Sequence, residues 1–263
     1  MIIAGRLLSI SEPISGDGSD NPTEDALFCY VAGYSPMTPI GFVHIIESPS
    51  SMDLLDGRTE GHSLCESLML AGIPASYCLA TDKRSLIESV GNRLLSAWRK
   101  HEVSPILHLS MHGSEQGIGL TNGEVISWDQ LRFLLQPLLD AMNGGLLVCL
   151  SSCHGTHGRR MAMCNETDAT FWALVTNHGA VSWSDAAVGY ISFYHLLFRG
   201  LAVETCVGSM RVASGNHEFA CIYGQRVKDD WQQFSRSIQA KLGQRIEQAA
   251  QAVESRSTKV VKQ

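Results

Sequence analysis

Apolar runs alternate with stretches of helical periodicity along the middle of this chain. The run IGFVHIIES is almost wholly apolar and rich in branched side chains, which predicts a strand buried on both faces. Further β-prone runs follow downstream: ASYCLA, ILHLSM, LLVCLSS, FWALV and FACIYG. Between them, apolar residues at three- and four-residue spacing predict helices over residues 60–72, 81–98, 128–142, 185–198 and 204–213.

Strands and helices that alternate with short connections predict a parallel sheet covered by helices on both faces. The exception is a small hairpin, in which IGLT and EVIS flank the turn dipeptide Asn122-Gly123. Thr81 is the expected N-cap of the second helix. Residues that carry chemistry are expected beyond the carboxyl ends of the parallel strands.

The length of 263 residues allows one domain or two small ones. We divide the chain into an N-terminal strand or hairpin extension (1–39), an α/β domain (40–224) and a C-terminal segment (225–263). The last segment has apolar residues at helical spacing, from Trp231 to Val253, in a glutamine-rich background. This pattern predicts a long amphipathic helix.

The composition is that of an ordinary globular protein, with 44% hydrophobic and 17% charged residues and a formal net charge of −6. These values argue against a disordered chain, a collagen or a basic nucleic-acid-binding protein. No apolar run is long enough to span a membrane, and the N-terminal residues lack a secretory-signal pattern. The eight cysteines are too sparse for a disulfide scaffold, so we expect a reducing, cytoplasmic setting.

Two of the predicted buried strands end in residues that suit cysteine peptidase chemistry. One strand ends at His112-Gly113, and another runs directly into Cys153. A cysteine peptidase needs a thiolate and a nearby imidazole that protonates the leaving amine, and parallel strands would place the two side by side. The N–H groups of Gly113 and Cys153 would form the oxyanion hole. The sequence therefore predicts a catalytic dyad of Cys153 and His112.

With these strand ends in this order, the chain resembles the caspase-like cysteine peptidases, which include caspases, metacaspases, separases, gingipains and bacterial CHAT proteases. The resemblance covers about residues 40–224, including MHGSEQG, the hairpin segment GLTNGEVISWDQL, and Ser182-Trp183, which is similar to the Ser-Trp of the caspase substrate-binding strand. It implies a three-layer α/β/α fold with a mostly parallel sheet of about six strands. It also implies a protein or peptide substrate, no cofactor, and a latent enzyme that a signal or partner activates, as in bacterial antiviral defence.

The resemblance does not determine P1, the substrate residue after which the peptide bond is cleaved. Arg58 stands where caspases place an arginine that holds an acidic P1 side chain, but Ser184 stands where the second arginine should be. Metacaspases and separases place an aspartate after this strand to bind Arg or Lys, and Asp185 is similarly placed, which slightly favours a basic P1 residue. Asp185 has an alternative role as a helix cap. The candidate S1 residues are Arg58, Ser151, Ser182, Trp183 and Asp185.

Other interpretations of these motifs stay open. Cys153, His154 and His157 form a C-H-x-x-H cluster, but this spacing lacks the second ligand pair of most zinc sites, so no metal is expected. His108 lies on the same strand face as His112 and could replace it, although its mid-strand position favours a buried, hydrogen-bonded residue.

A rival function is a caspase-like sensor that binds a nucleotide or a protein partner while its peptidase site is silent. Neither a nucleic acid nor a membrane is an expected partner. The pair Arg159-Arg160 lies where caspases are self-processed, which makes cleavage there conceivable. Paired arginines on a loop are otherwise solvated side chains.

Overall fold

A computed structural model describes the backbone of residues 40–260 and the side chains of residues 40–251. The predicted N-terminal extension, residues 1–39, lies outside the described residues. The described strands are β1 Phe42–Ser48, β2 Ala75–Leu79, β3 Pro105–Gly113, β4 Gly117–Gly119, β5 Val125–Ser127, β6 Leu147–Ser151, β7 Ala173–Asn177 and β8 Phe219–Tyr223.

Six of these strands form the main sheet, in the order β2-β1-β3-β6-β7-β8. Strands β2, β1, β3, β6 and β7 run parallel, and β8 is antiparallel to β7. The short hairpin of β4 and β5 pairs with the end of β3, as Asn122-Gly123 predicts, and Gly123 has a φ of 87° in its turn. The predicted, mostly parallel sheet of about six strands is confirmed.

The α-helices are α1 Ser51–Leu55, α2 Glu60–Leu70, α3 Lys83–Glu88, α4 Leu94–His101, α5 Trp128–Ala141, α6 Trp183–Leu197, α7 Val203–Ser214 and α8 Gly224–Val260. A π-helical turn, Ser89–Arg93, joins α3 to α4, and a 3₁₀ helix, Gly155–Ala162, follows β6.

Two apolar clusters, one on each face of the sheet, make the fold a three-layer α/β/α structure. One cluster joins α3, α4 and α5 to the sheet through residues such as Leu86 and Leu131. The other joins α2, α6 and α7 through Leu64, Tyr190 and Val207. Burial of a large apolar side chain contributes roughly 1.5–3 kcal/mol, so these two clusters are the main source of the sheet's stability.

Three local expectations differ from the structure. Helix α3 is capped by Asp82 and not by Thr81, because the Asp82 carboxylate accepts the Ser85 N–H while the Ser85 hydroxyl accepts the Asp82 N–H. Helix α6 begins two residues earlier than predicted, so Ser182 and Trp183 form a cap and a first helical turn, not a strand. Helix α1 was not predicted at all.

Helix α8 occupies most of the C-terminal segment. Lys228 attaches its first turns to the domain, since the ammonium donates to the carbonyls of Glu166 and Asp168 at 2.8 and 2.7 Å. The division of the chain at residues 39/40 and 224/225 stays a prediction. None of the helices within residues 40–260 is long and apolar enough to cross a membrane.

The face of the sheet under α2 becomes polar toward the carboxyl ends of its strands. At the end of β1, the buried carboxylate of Glu47 accepts N–H groups from Gly61 and His62 at the start of α2, and the hydroxyl of Tyr77. Burial raises the pKa of Glu47 above its ordinary value, and the hydrogen bonds from Gly61 and Tyr77 oppose this shift. The Glu47 proton therefore couples folding to pH.

We expect Glu47→Gln to remove part of the pH dependence of stability. A carboxyl whose pKa is raised on folding favours the folded state below its unfolded pKa, and this contribution is lost as the pH rises through the folded value. The unfolding free energy of the wild type should therefore fall relative to that of the variant as the pH increases above about 4.5. Urea denaturation at several values between about pH 4 and pH 8 measures this difference.

The matched control is Glu66→Gln, at an exposed position of α2, the helix whose first N–H groups bind Glu47. Its difference from the wild type should stay constant over the same range. Equal slopes for the Glu47 and Glu66 variants would contradict the prediction.

Candidate active site

Three parallel strands end at one edge of the sheet and bring together segments that are far apart in sequence. Strand β3 lies between β1 and β6, with Ser110 in register with both Glu47 and Ser151. The residues that follow these positions therefore meet beyond the same edge. They include His112 on β3 and Cys153 after β6, in agreement with the expected placement.

His112 forms a hydrogen bond with a carboxylate that the sequence did not reveal. Its Nε2 lies 3.0 Å from Oδ2 of Asp53, and the Asp53 side chain is only 13% exposed, whereas that of His112 is 50% exposed. Asp53 lies in α1, the short helix directly beyond β1. Because Nε2 faces Asp53, Nδ1 is the nitrogen left for proton transfer.

Local structure holds the Asp53 carboxylate ionised beside the imidazole. The hydroxyl of Ser50 donates to Oδ2 at 2.6 Å and also caps α1 by accepting the Asp53 N–H. This Ser50 hydroxyl, followed by the hydrogen bond from His112 and that from Trp183, lowers the pKa of Asp53 below its ordinary value. Asp53 is thus prepared to orient His112 and to stabilise its protonated form.

The Cys153 thiol lies in a sharp turn after β6. The residue that follows, His154, has a φ of 55°, in the left-handed region that non-glycine residues rarely adopt, and its N–H donates to the Gly179 carbonyl at 2.8 Å. Sγ of Cys153 accepts the N–H of Val181 at 3.4 Å and lies 3.7 Å from the Val181 carbonyl. Within the described residues, no hydrogen bond joins this sulfur to His112.

Gly113 is the residue that lets the end of β3 approach the nucleophile turn. A Cβ atom at this position would collide with the carbonyl oxygen of Cys153 and would lie 2.8 Å from Cβ of Ser152. The Ser114 N–H donates to the Gly117 carbonyl, so the adjacent residues Gly113 and Ile118 form a non-hydrogen-bonded pair of the antiparallel ladder. The Gly113 N–H therefore points away from β4. The two predicted oxyanion donors, Gly113 and Cys153, are therefore neighbours.

The segment Val181–Trp183, which we call the cover segment, lies over the catalytic pair. Val181 contacts Sγ of Cys153, as described above. The ring of Trp183 packs edge-on against His112, with centroids 5.3 Å apart, and its side chain is near enough to Asp53 to help lower the pKa of that carboxyl group. One three-residue stretch thus touches the sulfur, the imidazole and the carboxylate.

The candidate S1 residues Ser182 and Asp185 differ in whether their side chains already form hydrogen bonds. Ser182 is the N-cap of α6, and its hydroxyl accepts the Asp185 N–H at 3.1 Å. The alternative in which the Asp185 side chain caps this helix is therefore wrong. The Asp185 carboxylate accepts no hydrogen bond within the described part of the chain and lies in the first turn, where the helix dipole favours negative charge.

The other candidate S1 residues lie on either side of the dyad. Arg58 is exposed, and its guanidinium pairs with Asp56 at 3.4 Å. Ser151 is buried under the dyad, and its hydroxyl has no hydrogen-bond partner among the described atoms. Next to it on β3, the hydroxyl of Ser110 donates to the buried carboxylate of Glu60, whose second oxygen is also unpartnered there. The floor beneath the dyad is therefore acidic.

Other sequence candidates lie outside the dyad. His108 is fully buried and its Nδ1 lies 3.1 Å from the Tyr194 hydroxyl, so the expectation of a hydrogen-bonded core residue is confirmed. Burial raises the pKa of Cys149 far above its ordinary value, as expected of a core thiol. Among the side chains described, those of residues 40–251, no group of three or more His, Cys, Asp or Glu is placed to hold a metal ion.

The pair Arg159-Arg160 lies within the 3₁₀ helix and not on a loop, but both residues are exposed, as expected of solvated side chains. The two side chains diverge, and Arg160 donates to the carbonyl of Glu115 at 3.0 Å. Helical backbone is a poor substrate for proteolysis in comparison with an exposed loop tip, so self-processing here would first require this helix to unwind.

Similarity to known proteins is found in the fold and not in the sequence. No protein-family model and no curated protein match the sequence. Among solved structures, the chain is similar to the Arg-specific cysteine proteinase gingipain R (RGPB), with a TM-score of 0.43 and 9% identity over 68% of this chain and 44% of that chain. It is also similar to the complex of Porphyromonas gingivalis RgpB pro- and mature domains, with a TM-score of 0.43 and 10% identity over 70% of this chain and 46% of that chain. The chain spans less than half the length of either.

Proposed function

We propose that this protein is a cysteine endopeptidase whose nucleophile is Cys153 and whose general acid and base is His112. The observation that carries the proposal is the hydrogen bond between Asp53 and His112 at the sheet edge where Gly113 and Cys153 meet. A mostly covered carboxylate that orients an imidazole near a partly exposed cysteine is an arrangement suited to covalent acyl transfer.

In the proposed reaction, the Cys153 thiolate attacks the scissile carbonyl carbon, and the N–H groups of Gly113 and Cys153 stabilise the oxyanion. His112 donates its Nδ1 proton to the leaving amine, the C–N bond breaks, and a thioester remains. Neutral His112 then takes a proton from water, whose oxygen attacks the thioester. The C–S bond breaks, the carboxylic acid product leaves, and the Cys153 thiolate and protonated His112 are restored.

Cys153→Ala should abolish cleavage of a peptide library while the thermal unfolding curve stays close to that of the wild type. Cys78→Ala, on the outer strand β2, is the control and should retain activity. Activity that survives in the Cys153 variant would overturn the assignment. A wild-type protein that cleaves nothing, and whose Cys153 reacts with no electrophilic peptide, would instead favour the silent sensor.

The hydrogen bond between Asp53 and His112 predicts a positioning role for Asp53. Asp53→Asn keeps the shape but removes the charge that stabilises protonated His112, so kcat should fall by about 10- to 100-fold with little change in KM. The pH profile of kcat should also shift, which a purely structural defect would not cause. Asp56→Asn, at the C-cap of the same helix, should leave both unchanged, and an equal loss in the two variants would contradict the role.

Latency of the enzyme is part of the proposal, and the cover segment supports it. The Val181 backbone engages the sulfur that must attack, and Trp183 packs on the imidazole that must donate. A substrate would have to displace these contacts or use their backbone groups. Activation by a signal or a partner protein, membership of the bacterial caspase or CHAT group, a cytoplasmic location and a role in antiviral defence stay proposals.

The proposed P1 residue is basic. The Asp185 carboxylate is uncommitted and the buried floor is acidic, whereas the charge of Arg58 is already compensated by Asp56. A carboxylate can hold the guanidinium of a P1 arginine through two hydrogen bonds. An acidic P1 residue would meet like charges at this site.

A positional-scanning peptide library should therefore show cleavage after Arg or Lys in preference to Asp. Asp185→Asn should lower kcat/KM for basic P1 peptides by about tenfold or more, the effect of one charge-assisted hydrogen bond. Arg58→Gln should leave these values nearly unchanged. Preference for Asp at P1, lost in the Arg58 variant, would assign specificity to Arg58 instead.

A further inference from the structure

A second concave site lies beside the nucleophile turn but does not include the dyad. It is a cavity of about 420 Å³ between the 3₁₀ helix, strand β8 and the first turns of α8, and we call it the β8 cavity. Its volume is within the range of small-molecule sites. The residues around it come from the 3₁₀ helix, from His178 after β7, and from the consecutive elements β8 and α8, so segments that are distant in sequence meet here.

The walls of the β8 cavity carry more positive than negative groups. Arg159 and Arg226 line it from opposite elements, and His157 and His178 add two imidazoles, against a single carboxylate, Asp230. This balance is unusual for a chain whose formal net charge is −6. It indicates a site for an anion.

The two arginines of the cavity have no anionic partner within the described residues. The arginine ion pairs of the described residues involve Arg58, Arg93, Arg132 and Arg236; Arg159 and Arg226 form none, as is also true of other arginines such as Arg84 and Arg199. Arg226 also lies in the first turn of α8, a long helix whose N-terminal N–H groups favour a negative charge. Two guanidinium groups that form no ion pair thus line one cavity, and guanidinium donors are well suited to phosphate oxygens.

The remaining walls favour an organic part next to the charge. Ile222 and Val227 present apolar surface, and the hydroxyl of Tyr223 already donates to Glu204, so the tyrosine offers mainly its ring. Asp230, on the rim, is an acceptor suited to ligand hydroxyl groups. We propose that the β8 cavity binds an organic phosphate, with its phosphate oxygens held between Arg159 and Arg226.

The position of the cavity connects it to the nucleophile. The 3₁₀ helix that carries Thr156, His157 and Arg159 begins two residues after Cys153. A Cβ on Gly155 would collide with the Thr176 hydroxyl, so this helix is packed closely against β7 and cannot shift without moving the turn. Regulation of Cys153 by the ligand rests on the proposed function, whereas binding itself does not.

Titration calorimetry of the full chain with inorganic pyrophosphate, at constant ionic strength, tests the binding. Pyrophosphate should bind the wild type, and the Arg159→Gln/Arg226→Gln double variant should bind on the order of tenfold more weakly or not at all, as expected for loss of charge-assisted contacts. Arg160→Gln/Arg236→Gln removes the same charge from outside the cavity and is the matched control. It should bind as the wild type does.

Three results would overturn the proposal: no binding to the wild type, equal binding to the double variant, or an equal loss in the control. Citrate is the second probe, and citrate binding as strong as that of pyrophosphate with the same arginine dependence would overturn the phosphate assignment. Unfolding curves without ligand check that the variants are folded. Because the titration measures no cleavage, its failure is distinguishable from failure of the peptidase proposal.

Discussion

Parallel pairing of β3 with β1 and β6 is the interaction on which the candidate site depends. Each pair is in register over several residues, so Glu47, Ser110 and Ser151 lie side by side and the chain that follows each of them leaves from the same edge. A slip of one residue in β3 would turn His112 to the opposite face and bury it among leucines. Asp53 and Cys153 would then have no imidazole between them, although every helix could remain in place.

The same register divides one face of the sheet into an apolar and a polar half. Near the amino ends of the strands the face packs on α2, α6 and α7 through residues such as Ile45 and Leu147. Near the carboxyl ends it carries Glu47 and Ser110 and is covered by Glu60 of α2, and all three residues are buried and partly hydrogen-bonded. Buried polar groups without full partners are costly, and they are commonly kept where a site needs them. The apolar half thus compensates for a polar half that a purely structural sheet would not contain.

Much of this fold follows from the sequence, because strand and helix periodicity are local properties. His112, Gly113 and Cys153 follow long apolar runs, so the rule for parallel sheets was sufficient to place them at one edge. Asp53 follows β1 in the same way and is preceded by Ser50, a capping pattern, but five polar and apolar residues of mixed character hide the short helix α1. The contacts of Val181 and Trp183 could not be predicted, because they depend on where α6 begins. The divergence of Arg159 from Arg160 likewise depends on a 3₁₀ helix that has no periodic signal.

Chain order gives the cover segment a consequence for synthesis. Asp53, His112 and Cys153 all precede Val181 and Trp183, so a chain that emerges from the ribosome contains the reactive residues before the residues that cover them. Strand β7 lies between the two groups and pairs with β6, and the cover segment follows it directly. The thiol is therefore exposed on the nascent chain at least until β7 adds to the sheet, since docking of this strand carries the cover segment toward the sulfur.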